Sequence, residues 1–188
     1  MMKRDECFRV LARQVKDEIV VATYSSAFEW LAIADRPLNY FSHGAMGLAS
    51  SHGLGLALAR PERRVIVLDG DGSLLMNLGT LVTIAGAAPK NLVHIVCQNS
   101  TYEANGGHPL PNPGLDFLGI ARSAGIKSCY SFSEISEFTA GIAGVLQASG
   151  PVFAVLKLEE GHITKHDYPD LYKPERRQAL REALARAG

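Results

Sequence analysis

Val65-Ile66-Val67-Leu68-Asp69-Gly70-Asp71-Gly72-Ser73 is an aliphatic run that ends abruptly in acid and glycine. Its first four residues carry no polar alternate, so they read as a strand buried on both faces. Strands of that kind belong to parallel sheets covered by helices on either side. The residues after the run are unusual for a plain strand-to-helix turn. Two aspartates and two glycines stand at the carboxyl end of a buried strand, where ligands bind in open α/β sheets. The glycines let a ligand approach the backbone. Asp71 would repel an anion unless a cation lies between them, and Mg²⁺ is commonly shared between a carboxylate and phosphate oxygens. Taken alone, Asp-Gly is also an ordinary turn pair.

Working outward, strand-length apolar runs alternate with helical patterns. Strands are expected at 19–22, 38–41, 65–68, 92–96, 126–130 and 152–158. Helices are expected at 4–16, from Ser25 or Ser26 as cap through 33, and at 45–59, 75–87, 114–124, 134–148 and 174–187. Ser133 is the expected cap of the 134–148 helix, with Glu137 in the capping-box region. A glycine- and proline-rich loop fills 100–113. The alternation predicts an α/β fold: a parallel sheet of about six strands with helices on both faces. Residues 1–188 are expected to form a single domain, with 160–188 a polar loop and C-terminal helix. Three strand ends are then candidate site positions: Thr23–Ser26, Asp69–Ser73 and Gln98–Gly107.

Composition narrows the class of ligand. Lys plus Arg number 19 and Asp plus Glu 19, so no net charge favours nucleic acid or an anionic membrane. Cys7, Cys97 and Cys129 form no CxxC pair and no zinc spacing, which suits buried thiols of a cytoplasmic protein. The charged N-terminus lacks the apolar run of a signal peptide. No stretch approaches the roughly 20 apolar residues of a membrane span.

Two further stretches carry the chemistry. Val96-Cys97-Gln98-Asn99-Ser100-Thr101 again ends a buried strand in polar side chains. Asn99 follows Asp71 by 28 residues, room for one helix and one return strand. If the two strands are neighbours, Asn99 lies beside Asp71 and offers an amide oxygen, with the Thr101 carbonyl as a further ligand; an asparagine turn is the plainer alternative. In His43-Gly44-Ala45-Met46-Gly47, two glycines flank a flexible hydrophobe that opens a helix of small residues. Core filling is the ordinary use of a methionine.

The glycine-flanked hydrophobe, the strand, Gly-Asp-Gly-Ser and the asparagine 28 residues on together resemble the diphosphate-binding domain of the decarboxylase-like thiamine-diphosphate (ThDP) enzymes. The family pattern usually ends in Asn-Asn; here it is Gln98-Asn99. Within the family, the stretches Asn39-Tyr40-Phe41, Gly70 to Gly79, Asn105-Gly106-Gly107-His108-Pro109 and Asp116-Phe117-Leu118 are similar to sulfopyruvate decarboxylase β subunits and phosphonopyruvate decarboxylases. The resemblance covers about residues 18–158.

The resemblance implies ThDP and Mg²⁺ as cofactors. Asp71, Asn99 and the Thr101 carbonyl would hold the metal. Gly70, Gly72, Ser73, Ser25 and Ser26 would meet the diphosphate. Gly44, Ala45 and Met46 would hold the thiamine in its bent form. In that family a glutamate from a separate pyrimidine-binding domain protonates the aminopyrimidine. No glutamate here has the context for that role, so the expected protein is a β subunit, active only with an α subunit, in a hetero-oligomer of even multiplicity. The expected reaction is decarboxylation of a small 2-oxo acid, sulfopyruvate first and phosphonopyruvate second. The alternatives are another ThDP carboligase or acyl-transfer subunit, or a noncatalytic scaffold that binds ThDP or a diphosphate. Those relatives often have Ser at the place of Ala45 and Gln at that of His108.

His108, in the glycine-rich loop, is a candidate proton donor or anion contact, and His43 adjoins the cofactor-bending segment. His94 sits inside a buried strand and reads as structural. His162 and His166 have helical metal spacing without a carboxylate partner. Gly53-Leu54-Gly55 lies within a helix and lacks the full dinucleotide fingerprint. Glu103 and Asn105 are candidates to line the pocket, without a specific signal for either.

Overall fold

The computed structural model describes residues 1–42, 46–161 and 166–186. In chain order its main elements are α1 (Arg4–Ala12), β1 (Ile19–Ala22), α2 (Tyr24–Ile33), β2 (Asn39–Phe41), α3 (Ala49–Ala59), β3 (Val65–Gly70), α4 (Asp71–Leu75), α5 (Gly79–Ala87) and β4 (Leu92–Gln98). After these come β5 (Thr101–Tyr102), β6 (His108–Pro109), α6 (Phe117–Ser123), β7 (Ser128–Phe132), α7 (Ile135–Gln147), β8 (Val152–Lys157), α8 (Tyr168–Leu171) and α9 (Pro174–Ala185).

Six strands form one all-parallel sheet in the order β2-β1-β3-β4-β8-β7. The expected fold class holds. β3 and β4 pair from Val65↔Leu92 to Gly70↔Cys97, so their carboxyl ends lie side by side. Side chains alternate between two cores. Ile66 and Leu68 of β3 join Phe8, Leu11 and Trp30 of α1 and α2 and Phe138 and Ile142 of α7. Val65 and Val67 join Leu54, Leu81, Ile84 and Phe117 from α3, α5 and α6. The chain therefore leaves β1 toward one face and β3 toward the other. Neighbouring strands whose connections diverge leave a crevice at their carboxyl ends.

Several expected boundaries move, each for a local reason. The first helix stops at Ala12, because the chain turns through Arg13 and Gln14 to deliver β1. Ser25 and Ser26 lie inside α2; Thr23 holds the N-cap position without a side-chain cap bond. The helix expected at 45–59 begins at Ala49, after a turn at 46–47. The 75–87 helix is two helices, α4 starting at Asp71 itself and α5 after a break in which Asn77 bonds across to Gly47 O and Ser51 Oγ. Neither Ser133 nor Glu137 caps α7; Glu134 takes the N-cap position, also without a cap bond. The helix expected from 114 begins at Phe117, capped by Asp116 Oδ1, which accepts from Gly119 N at 2.9 Å. The strand expected at 126–130 sits two residues later, because buried Ile126 belongs to the turn that precedes it. The 100–113 loop contains the β5–β6 hairpin and a 3₁₀ turn. Cys7 and Cys97 are buried, whereas Cys129 on the edge strand β7 is half-buried. Among the described residues no helix is long and apolar enough to cross a membrane.

Candidate functional site at the strand ends

A cleft opens where β1, β3 and β4 end. Its walls are Thr23 to Ser26, Met46, Gly70 to Ser73, Cys97, Asn99, Thr101 to Ala104, and Arg4 from the far end of the sequence. All three strand ends singled out from the sequence thus meet in one place.

The β1–α2 junction is built under strain. Tyr24 takes φ +44°, a left-handed conformation for a residue with a Cβ, which costs roughly 1–3 kcal/mol and persists where surroundings enforce it. The Thr23 Oγ1 and Ser25 Oγ atoms on either side are buried and have no hydrogen-bond partner among the described residues. A buried polar atom left unmatched costs roughly 1–3 kcal/mol. Two of them at the N-terminus of the 10-residue α2, where the first backbone N–H groups are also free, make a ready set of donors for an anion. Ser26 is engaged instead with the Cys97 sulfur, whose thiol burial pushes up to about 12, so it is held neutral.

At the end of β3, Asp69 turns down into the sheet and meets His94 Nε2 at 3.2 Å, so His94 is structural as expected. Asp71 turns into the cleft. Its Oδ2 accepts from Ser100 N at 2.6 Å and its Oδ1 from Gly72 N at 2.8 Å. Burial pushes its carboxyl up to about 6, against these N–H donors, which favour the ionised form. Gly72 is tightly packed here: a Cβ would lie 2.6 Å from the Tyr102 ring, which would have to shift. Ser73 Oγ accepts from Gly47 N at 3.0 Å, and Asn77 Nδ2 donates to Gly47 O at 3.0 Å. These two bonds strap the Met46-Gly47 turn, with Gly47 at φ +86°, to the helices after β3.

Beyond β4, Asn99 Oδ1 accepts from Thr101 N at 3.0 Å and from Thr101 Oγ1 at 3.2 Å. Asp71 and Asn99 are therefore one residue apart in the bonding network, joined through Ser100. The carboxylate, the amide and the Thr101 backbone supply hard oxygens of the type that Mg²⁺ takes.

Sequence reasoning missed part of this cleft. Arg4 Nη1 donates to Glu103 Oε2 at 2.5 Å and Nη2 to Glu103 Oε1 at 3.1 Å, while Nε donates to Glu29. Burial disfavours the Arg4 cation, but Glu103 and Glu29 outweigh it and hold its pKa above the ordinary value. Nothing local marks these residues, because Arg4 and Glu103 are 99 positions apart. Thr23 and Tyr24 carried no signal beyond their place after a strand.

The remaining expectations divide. His108 is exposed on β6, opposite Tyr102 in the hairpin, and does not line the cleft. His43, Gly44 and Ala45 lie outside the described residues, as does His162. His166 stacks on Phe28 with ring centroids 4.5 Å apart.

Residues 21–156 match the family model described as thiamine pyrophosphate enzyme, C-terminal TPP binding domain. The sulfopyruvate decarboxylase subunit beta of Methanothermobacter thermautotrophicus is 37% identical over 163 residues, which cover 86% of this chain and 85% of that protein. The phosphonopyruvate decarboxylase of Streptomyces hygroscopicus is 34% identical over 164 residues, 87% of this chain. This chain spans only 41% of that longer protein. The crystal structure of benzoylformate decarboxylase from Polynucleobacter necessarius shares the fold, with a TM-score of 0.74 at 21% identity over 85% of this chain and 34% of that one.

Proposed function

The chain belongs to the thiamine pyrophosphate enzymes, as their C-terminal TPP-binding domain, and from that premise we propose that it is the β subunit of a ThDP- and Mg²⁺-dependent 2-oxo-acid decarboxylase with a sulfopyruvate-like substrate. The observation that carries this reading is the coincidence, in one cleft, of two unmatched buried hydroxyls with an inward carboxylate and amide.

The residues fit the cofactor. Thr23, Ser25 and the free N–H groups of α2 would take the terminal phosphate, with Gly72 and Ser73 on the opposite wall and Ser26 behind. Gly72 N–H now donates to Asp71 Oδ1, so a cation drawing that oxygen would free it. Asp71, Asn99 Oδ1 and the Thr101 carbonyl would give the metal three of its roughly six oxygens, the diphosphate and water the rest. A metal held there would offset the repulsion between Asp71 and the phosphates. Met46, strapped through Gly47, would bear on the thiamine together with Gly44 and Ala45. When bound, the thiazolium supplies an electron sink for the carbanion left by CO₂ loss. This chain's part is to orient that ring and keep water from it.

The partner is proposed as an α subunit that brings the pyrimidine-binding glutamate, in keeping with a relative named subunit beta that the chain covers almost throughout. Among the described residues Arg4 is the one Lys or Arg lining the cleft, and Glu103 and Glu29 occupy it. The substrate's anionic group would then be met by His43 or the α subunit, since His108 does not line the cleft. Phosphonopyruvate is the second substrate reading, on the identity to the decarboxylase of that name.

The test is co-purification of the chain with its α subunit and measurement of CO₂ release from sulfopyruvate, phosphonopyruvate and pyruvate. Release fastest from sulfopyruvate, and lost in Asp71→Ala, is expected. Cofactor binding without turnover of any 2-oxo acid would favour the scaffold reading.

A further inference from the structure

An asparagine amide has two chemically opposite ends, and only its oxygen serves a cation. Which end of Asn99 faces which neighbour is therefore decisive for the cleft. Its Nδ2 lies 3.4 Å from Glu103 Oε2, the same oxygen that takes the Arg4 Nη1 bond. Arg4 grips both oxygens of Glu103. A carboxylate so gripped can only accept, so the amide end turned toward it must be the NH₂. The Asn99 oxygen is kept on the other side by this contact together with Thr101, whose N–H can donate only to the oxygen end. Arg4 is itself anchored twice over. Glu29 of α2 takes its Nε. Met2 N donates to Lys157 O at 3.1 Å, and Glu159 N to Met2 O at 3.0 Å, which fixes the start of α1 to the end of β8.

We propose that Glu103, held by Arg4, is a positioning residue for Asn99: it sets the end of the amide that faces the cation, and so sets the affinity for Mg²⁺ and ThDP. The proposal rests on the reading of Asp71 and Asn99 as cation ligands. Outer partners that orient metal ligands are typically worth about 10–100-fold in metal affinity. The network also permits a clean substitution. Glu103→Met leaves Arg4 paired with Glu29, so no buried charge is stranded. Glu103→Gln keeps an acceptor oxygen for Asn99 while removing the charge.

The experiment measures Mn²⁺ binding to the chain co-purified with its α subunit in the presence of ThDP, by loss of the free-ion electron paramagnetic resonance signal. Apo melting of each variant is recorded alongside. Glu103→Met is expected to weaken Mn²⁺ by at least about tenfold, and Glu103→Gln to recover most of that loss. Arg4→Lys, which keeps the charge but cannot make the two-pronged grip, is expected to weaken it too, and it decides the matter if Glu103→Met does not fold. Wild-type affinity in Glu103→Met or in Arg4→Lys would overturn the proposal. So would equal losses in Glu103→Met and Glu103→Gln, which would make charge rather than amide orientation the cause. Asp71→Asn separates the two claims: if wild type binds Mn²⁺ and Asp71→Asn does not, the cation site stands whatever Glu103 does, and if wild type does not bind, both fall.

Discussion

Asp71 is costly to the apo protein and, as the proposed cation ligand, useful to the loaded one. Its carboxyl, ordinarily near 3.8, is pushed to about 6 by burial. The folded chain thus holds that proton more tightly than the unfolded chain. Below pH 3.8 both states are protonated and nothing is lost; as pH rises from there through 6, the folded state loses stability, on the order of 3 kcal/mol by pH 7. Apo wild type, compared with Asp71→Asn by urea denaturation from pH 4 to 7, should lose ground by about that amount, and a pH-independent difference would contradict the assignment. Cation affinity follows the same proton from the other side: it should fall up to about tenfold per pH unit below 6 and level off above 7. The unmatched hydroxyls make a second prediction. Thr23→Val and Ser25→Ala should leave apo stability unchanged or raised, since a buried orphan is removed, while weakening ThDP in a titration. Residues of this sort differ in legibility. Asp71 and Asn99 announce themselves because each closes an apolar strand run. Arg4, Glu29 and Glu103 do not, because their pairing joins elements distant in sequence, and a charged residue on a helix reads first as solvated surface.

At the scale of elements, the site depends on how β3 ends. The break between α4 and α5 lets Asn77 reach back to Gly47 O and Ser51 Oγ, as Ser73 Oγ does to Gly47 N. Asn77→Ala should cost about 1–2 kcal/mol of stability, from lost bonds and a Gly47 carbonyl left less satisfied. It should also raise the ThDP dissociation constant, because the turn carrying Met46 loosens; unchanged cofactor affinity would dissociate the strap from the site. Gly72→Ala should cost about 1–3 kcal/mol by forcing Tyr102 aside. The buried strands β1, β3, β4 and β8 are readable because runs of mostly apolar residues of that length have few other uses. β7 is displaced by two residues in the reading because an edge strand is half-exposed and lacks such a run. The α4–α5 break was hidden, since a side-chain bond to a distant turn leaves no trace in helical periodicity. The β5–β6 hairpin, at two residues per strand, is too short to show any period.

For the molecule as a whole, helices on both faces of a parallel sheet follow from the alternation of runs, but the order β2-β1-β3-β4-β8-β7 does not. Crossovers are set by which face each helix buries, and α3 and α5 are too rich in small residues to declare one. That order is what places the three motif-bearing strand ends beside one another and makes a cleft of them. The cleft is assigned to a diphosphate and a cation, and its other half to a second chain. The most direct test is calorimetric titration of ThDP into the chain assembled with its α subunit, with Mg²⁺ and with a chelator, for wild type and Asp71→Ala. Binding that requires Mg²⁺ and is lost in Asp71→Ala is the expected result. Binding of equal strength in the chelator or in Asp71→Ala, or none to wild type with Mg²⁺ present, would contradict the assignment of this cleft.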